Sequence, residues 1–220
     1  LRAANHDPFP ASSRRSHLIA EVLEKFTSFS RTKKKVRLAG RVMGLRNQGS
    51  LFFADIADAS GSIQVVAKKD TANNFELFRN NLDIGDFIEA EGILFATKRG
   101  EKSIEARKIV VLTKSIRPLP SQWHGLTDTE TRLRKRYLDL LLSADLRELF
   151  QKKEAFWSAT RNFLKKEGFL EVETPVLESV PGGADAEPFT THHNALDQDF
   201  YLRISLELPL KRLIVGGYEK

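Results

Sequence analysis

The sequence predicts an α+β chain in two parts, a small N-terminal β-barrel followed by a helix-led sheet domain. Three observations carry this. Between residues 35 and 112 polar and apolar residues alternate with the period of half-buried strands. Arg117-Pro118-Leu119-Pro120 then interrupts any ladder or helix, because each proline lacks a donor and restricts its predecessor. From Ser143 onward the apolar spacing becomes helical.

A leader containing Pro8, Pro10, Ser12 and Ser13 comes first, and Ile19, Val22, Leu23 and Phe26 then share one face of a short amphipathic helix. Lys35–Met43 alternates as a first strand, and Leu51–Ala57 and Ser62–Ala67 are two more, joined by the turn Asp58-Ala59-Ser60-Gly61. Asn73–Leu82 predicts a short helix. Gly85–Thr97 and Ser103–Leu112 predict two further strands around Lys98-Arg99-Gly100-Glu101. Three strands, a helix and two strands is the element order of an OB-fold, a small Greek-key barrel that binds oligonucleotides.

Beyond the proline linker, Leu146, Leu149, Phe150, Phe156 or Trp157, Phe163 and Leu164 form one helical stripe, with Ser143 as N-cap and Gly168 as the stop. Phe169–Val176 is expected as a strand, followed by the loop Val180–Ala186. Strands at Phe189–Thr191 and Phe200–Ile204 and a helix over Leu206–Val215 complete the pattern. The expected organisation is a leader (1–32), an OB barrel (33–115), a linker (116–140) and a partial second domain (141–220).

Composition narrows the class. With 35 Lys+Arg against 29 Asp+Glu the charge is +6, and residues 1–40 carry all of it, nine basic against three acidic. A polyanion therefore meets the N-terminal part first, although a basic run is also what a merely solvated surface presents. Zero Cys excludes disulfides and thiolate metal sites and fits a reducing compartment. No stretch approaches the ~20 apolar residues of a bilayer span, so no membrane partner is expected. Both ends, Leu1 and the Lys220 that follows an apolar run, are expected to be cut ends of a longer protein.

Phe52 and Phe53 are consecutive on a strand, so one faces the core and the other faces outward, where an aromatic ring can stack an unpaired base. Two Phe in a strand can equally be core alone. Arg46, on the approach to the same strand, and Gln64, on the next strand across the turn, supply a guanidinium and an amide, and with Phe53 and the basic leader they favour single-stranded RNA. Gly182-Gly183-Ala184 lets backbone approach a ligand closely, or is a plain surface loop. Glu207, near a helix start, either accepts from a substrate ammonium or complements the helix dipole. His192 and His193 are adjacent on a strand and cannot jointly ligate one metal, so no metal site is expected.

Several strings together resemble a known family. These are Arg136-Tyr137-Leu138-Asp139-Leu140, Gly168-Phe169-Leu170-Glu171-Val172-Glu173-Thr174-Pro175, Pro181-Gly182-Gly183-Ala184, Thr191-His192-His193-Asn194-Ala195-Leu196-Asp197 and Tyr201-Leu202-Arg203-Ile204. They are similar to the N-terminal half of class II lysyl-tRNA synthetases of bacterial type, and Arg117–Pro120, His124-Gly125-Leu126 and Asp7–Pro10 extend the likeness across the chain. Gly168–Pro175 matches class II motif 1, common to the whole class. The His192–Asp197 string favours lysine over the aspartate and asparagine relatives.

The resemblance implies an OB domain that reads a tRNA anticodon through Arg46, Phe53 and Gln64, with phosphate contacts from Arg31, Lys33, Lys34 and Lys35. It further implies the first part of a class II antiparallel-sheet catalytic domain, a homodimer interface through motif 1 (Gly168, Pro175), and a lysine pocket bordered by Gly182, Gly183, Ala184 and Glu207. The implied partners are lysine-accepting tRNA and lysine, and the implied location is the cytoplasm. ATP and magnesium are the implied cofactors, but motifs 2 and 3, which bind them, are absent from these 220 residues. No catalytic residue is therefore expected here, and the chain alone is expected to be inactive; a non-catalytic RNA-binding fragment is the alternative. Two departures from the family pattern stand out. Ser205-Leu206-Glu207-Leu208-Pro209 replaces Ala-Pro-Glu-Leu-Tyr, so a proline threatens the helix that carries Glu207. Ser50, at the head of the second strand, stands where the family carries Lys.

Overall fold

A computed structural model describes residues 1–120 and 126–220, so His124 and Gly125 lie outside the described residues. The chain divides into two compact units, Leu1–Leu138 and Asp139–Lys220.

In the first unit, α1 (Ile19–Glu24) and α2 (Phe26–Arg31) precede five strands and one intervening helix. The strands are β1 (Lys35–Gln48), β2 (Leu51–Ala57), β3 (Ser62–Lys68), β4 (Phe87–Ala96) and β5 (Lys102–Thr113), with α3 (Phe75–Asn81) between β3 and β4. They close into a barrel in the order β1-β2-β3-β5-β4, with β3 and β5 parallel and every other pair antiparallel. Alternation decides which residues fill it: Val36, Leu38 and Val42 from β1, Phe52, Ala54 and Ile56 from β2, and Ile63, Val65 and Ala67 from β3. Ile19, Val22 and Phe26 pack against the same core. Each of the larger side chains, the Val, Leu, Ile and Phe, contributes about 1.5–3 kcal/mol by leaving water.

β1 runs five residues beyond the expected Met43, because a register shift between Val42 and Gly44 re-aims the strand without ending it. The helix expected over 19–26 stops at Glu24, because Lys25, with a ψ of 17°, leaves the helical region, and a second helix not expected from the sequence, α2, follows. Gly92 is demanded by the barrel: a Cβ there would fall 1.9 Å from the Glu105 carbonyl oxygen at the second irregularity, between β4 and β5. Ser50 lies in the β1–β2 turn, outside the strand, with its carbonyl accepting from Lys69 N–H.

Two polar devices complete the unit. Asp86, fully buried, accepts from Lys114 Nζ (2.8 Å) and from the backbone N–H of Ser115 (2.7 Å) and Asp83 (2.9 Å), pinning the end of β5. Burial pulls the Lys114 pKa down, yet its bonds to Asp83 and Asp86 outweigh that and raise it. The leader is strapped across the barrel. Ser13 Oγ (2.7 Å) and Arg14 N–H (2.6 Å) donate to Glu89, and Ser16 N–H donates to the Arg37 carbonyl.

Within the chain's remaining part, α4 (Thr129–Arg134) and α5 (Arg136–Leu142) lead to α6 (Ala144–Lys166), capped as expected by Ser143, whose Oγ accepts from Leu146 N–H at 3.1 Å. β6 (Leu177–Glu178), β7 (Thr190–His193) and β8 (Gln198–Leu202) form a sheet in the order β6-β8-β7, and α7 (Glu207–Val215) follows. The strand expected over Phe169–Val176 does not form. Its backbone finds no ladder partner among the described residues, and its fixings are isolated, such as Leu170 N–H to Lys220 O and Arg203 Nη1 to Thr174 O. The α6 stripe forms but stays uncovered, with Leu149, Phe150, Phe156 and Phe163 all exposed.

Candidate nucleic-acid interface

The pleat of β2 sends Phe52 inward, 1% exposed, and Phe53 outward, only partly covered. Register places Arg46 of β1 directly opposite Phe53, and the guanidinium carbon lies 5.7 Å from the ring centroid. Arg46 also reaches Asp55, Nη2 to Oδ1 at 3.8 Å. Gln64 of β3 is opposite Asp55, while Val66 is opposite Phe53, so Gln64 is the diagonal neighbour of the ring, within about 7–8 Å. Arg46, Phe53, Asp55 and Gln64 thus share one outer face of the barrel. Beside them a cleft of about 930 Å³ runs from Gly44, Arg46 and Asp55 to Ile84, Ile116 and Leu119.

Gln64 is itself 5% exposed and engaged: its Nε2 donates to Glu101 Oε2 at 3.3 Å, and its Oε1 accepts from Ser103 Oγ at 3.2 Å. No motif in the sequence singles out Glu101 or Ser103. Glu101 reads there as turn filler, and the only signal for Ser103 is its outward parity on a strand whose inward neighbour is Ile104. Phe95, opposite Ser103, joins the same face.

The basic run sits elsewhere. Arg31 ends α2, Lys33 takes a left-handed φ of 49° at the helix stop, Lys34 Nζ lies 4.2 Å from the Phe29 ring centroid, and Lys35 opens β1, at the opposite end of that strand from Arg46. All four are exposed. The structure does not bring them together with Phe53, so a nucleic acid touching both must span the length of β1.

In the second unit, Gly183 has a φ of 84°, and a Cβ on it would lie 3.2 Å from Ser205 Cβ and 3.5 Å from Glu207 Cβ. The glycine loop therefore abuts the start of α7. Pro209 is the third residue of that helix, where its missing N–H would have had no helical partner, and the first helical bond runs from Leu210 N–H to Leu206 O. Glu207 opens the helix and pairs with Lys211 at 2.5 Å, which holds its carboxyl below the usual range. Gly168 has a φ of 84°, and the segment from it to Pro175 lies along the surface. His192 Nδ1 is 2.8 Å from Asp199. Among the described residues no group of three or more His, Asp or Glu could hold a metal ion, and no helix is long and apolar enough to cross a membrane.

The closed five-stranded barrel is an OB-fold, and residues 36–112 match the family model for an OB-fold nucleic acid binding domain. Residues 128–220 match the model for tRNA synthetases class II (D, K and N). The chain thus carries both matches, one after the other. It is similar over all of its length to the Lysine--tRNA ligase of Roseiflexus sp. (strain RS-1), 48% identical, and to that of Dehalococcoides mccartyi, 47% identical. It is 48% identical over 97% of its length to the Lysine--tRNA ligase 2 of Methanosarcina mazei. The chain spans just under half of these relatives, between 42% and 46% of each.

Proposed function

We propose that these residues are the tRNA-reading and motif 1 portion of a lysine–tRNA ligase, the parent activity being ATP-dependent attachment of lysine to its tRNA in the cytoplasm. The observation that carries the reading is the row of Arg46, Phe53 and Gln64 on the outer face of the barrel, in a chain whose relatives bear that name. The division of labour follows from chemistry. Residues 33–115 read an unpaired loop, with Phe53 stacking a base and Arg46 and Gln64 addressing its edge or phosphate. Residues 1–32, with Arg31 and the lysines 33 to 35 at their margin, add sequence-blind phosphate attraction. Residues 116–140 link this reader to residues 141–220.

There, the glycine loop 182–184 and Glu207 border the lysine site. Glu207 is exposed and its carboxylate pairs with Lys211, a partner it can exchange for a substrate ammonium. The segment from Gly168 to Pro175 and the uncovered face of α6 pair with a second copy of the chain, supplying the ladder and apolar cover both lack. ATP and magnesium serve the parent reaction, but the described residues offer no ligand set for the metal, and no step is assigned to them.

Photocrosslinking tests the reader. The chain is mixed with an anticodon hairpin bearing 4-thiouridine at the central loop position. The crosslink is expected within β2 or β3, in the peptides containing Phe53 or Gln64. Crosslinking spread evenly over the basic leader would replace this reading with that of a generic RNA-binding fragment.

A further inference from the structure

We propose that Ser103 is a positioning residue for base discrimination: its buried hydroxyl sets the direction of the Gln64 amide, so that the amide offers a base only N–H. The inference rests on the reading of Gln64 as a base-edge contact given above.

Ser103 is opposite Gln64 in the parallel β3–β5 register and is 0% exposed. Its Oγ lies 3.2 Å from Gln64 Oε1, against 3.4 Å for its other acceptor, the Glu101 carbonyl. On the other side of the amide, Glu101 Oε2 lies 3.3 Å from Gln64 Nε2. An ionised carboxylate can only accept, so the amide group that faces Glu101 must be the NH₂. The group that faces Ser103 must then be the carbonyl, with the hydroxyl as donor. Among the described residues no buried side-chain polar atom is left without a partner, so this arrangement is fully satisfied as it stands.

The consequence concerns which base edge is accepted. An amide has two N–H groups, and Glu101 occupies one. A base stacked on Phe53, the diagonal neighbour of Gln64, therefore meets the remaining N–H and no amide oxygen. That suits the keto oxygen of uracil and opposes the amino group that cytosine carries at the same position. Removing the Ser103 hydroxyl leaves the amide oxygen without its donor. Of the two restraints only the Nε2–Glu101 bond then remains, and the amide can pivot on it to bring its unpaired oxygen to the outer face, where it accepts the cytosine amine.

The test titrates the full 220-residue chain with two hairpin RNAs that differ by U or C at one loop position. Gln64→Ala should abolish the U-over-C ratio. Ser103→Ala should shrink it about five- to tenfold, the ratio one neutral hydrogen bond supplies, mainly by tighter binding of the C hairpin. Ser103→Thr, which keeps the hydroxyl, should restore it. Ser103→Cys, close in size and a weak donor, carries the same expectation if the alanine variant does not fold. An unchanged ratio in Ser103→Ala or Ser103→Cys alongside its loss in Gln64→Ala would overturn the positioning role and leave the base reading intact. An unchanged ratio in Gln64→Ala would remove the base reading and the positioning role with it.

Discussion

Arg46 and Phe53 face each other across the β1–β2 ladder, with the guanidinium carbon 5.7 Å from the ring centroid on the outer face of the barrel. On the proposed reading a base stacking on Phe53 meets that cation; strand pairing sets the register of the two residues, and Asp55 holds the guanidinium from its other side.

The pleat of β2 separates binding from stability at adjacent positions. Phe53→Ala should weaken binding of a U-containing loop by roughly 1–3 kcal/mol and leave the melting temperature nearly unchanged. Phe52→Ala should do the reverse, destabilising the barrel by about 3–5 kcal/mol through a core cavity. Thermal melts and RNA titrations on both variants check the separation.

The basic run should act on every sequence alike. Replacing Lys34 and Lys35 with Gln, and Lys33 with Gly, removes three charges, and the glycine also relieves the left-handed φ of 49° at Lys33. Binding of cognate and scrambled loops should weaken equally and its salt dependence should flatten, which titrations at two ionic strengths measure.

Acid should loosen the barrel through Asp58. Burial raises its pKa, but bonds from Ser60 and from the backbone N–H groups of Ile19, Ser60 and Gly61 outweigh this and lower it in the folded chain. A depressed folded pKa gives stability that is present above the unfolded value, about 3.9, and lost as the pH falls through the folded one. Melting curves from pH 6 to pH 2.5 should therefore fall more steeply for the wild type than for Asp58→Asn, which does not titrate.

Much of this was legible in the sequence where one local rule decides the outcome. The barrel strands follow from alternation, the outward turn of Phe53 from the pleat, and the start of α6 from a Ser143 cap with helical spacing behind it. The misses share a cause, which is dependence on contacts distant in sequence. Phe169–Val176 has strand chemistry but no ladder partner among the described residues. The leader strap needs Glu89, some 75 residues away from Ser13 and Arg14. Glu101 and Ser103 meet Gln64 only because β5 runs parallel to β3.

The 220-residue chain should show no lysine-dependent ATP–pyrophosphate exchange, since the family resemblance places motifs 2 and 3 outside these residues. Exchange above a no-protein control, with full-length enzyme excluded, would refute this.

The most direct measurement is a titration of the wild-type chain with a U-rich anticodon hairpin and a scrambled hairpin at two salt concentrations. Tighter binding of the U-rich hairpin at both salts, with the gap closing in Phe53→Ala and Gln64→Ala, is the predicted result. Equal affinity for the two hairpins would contradict an anticodon-reading barrel and leave only a basic surface that binds RNA.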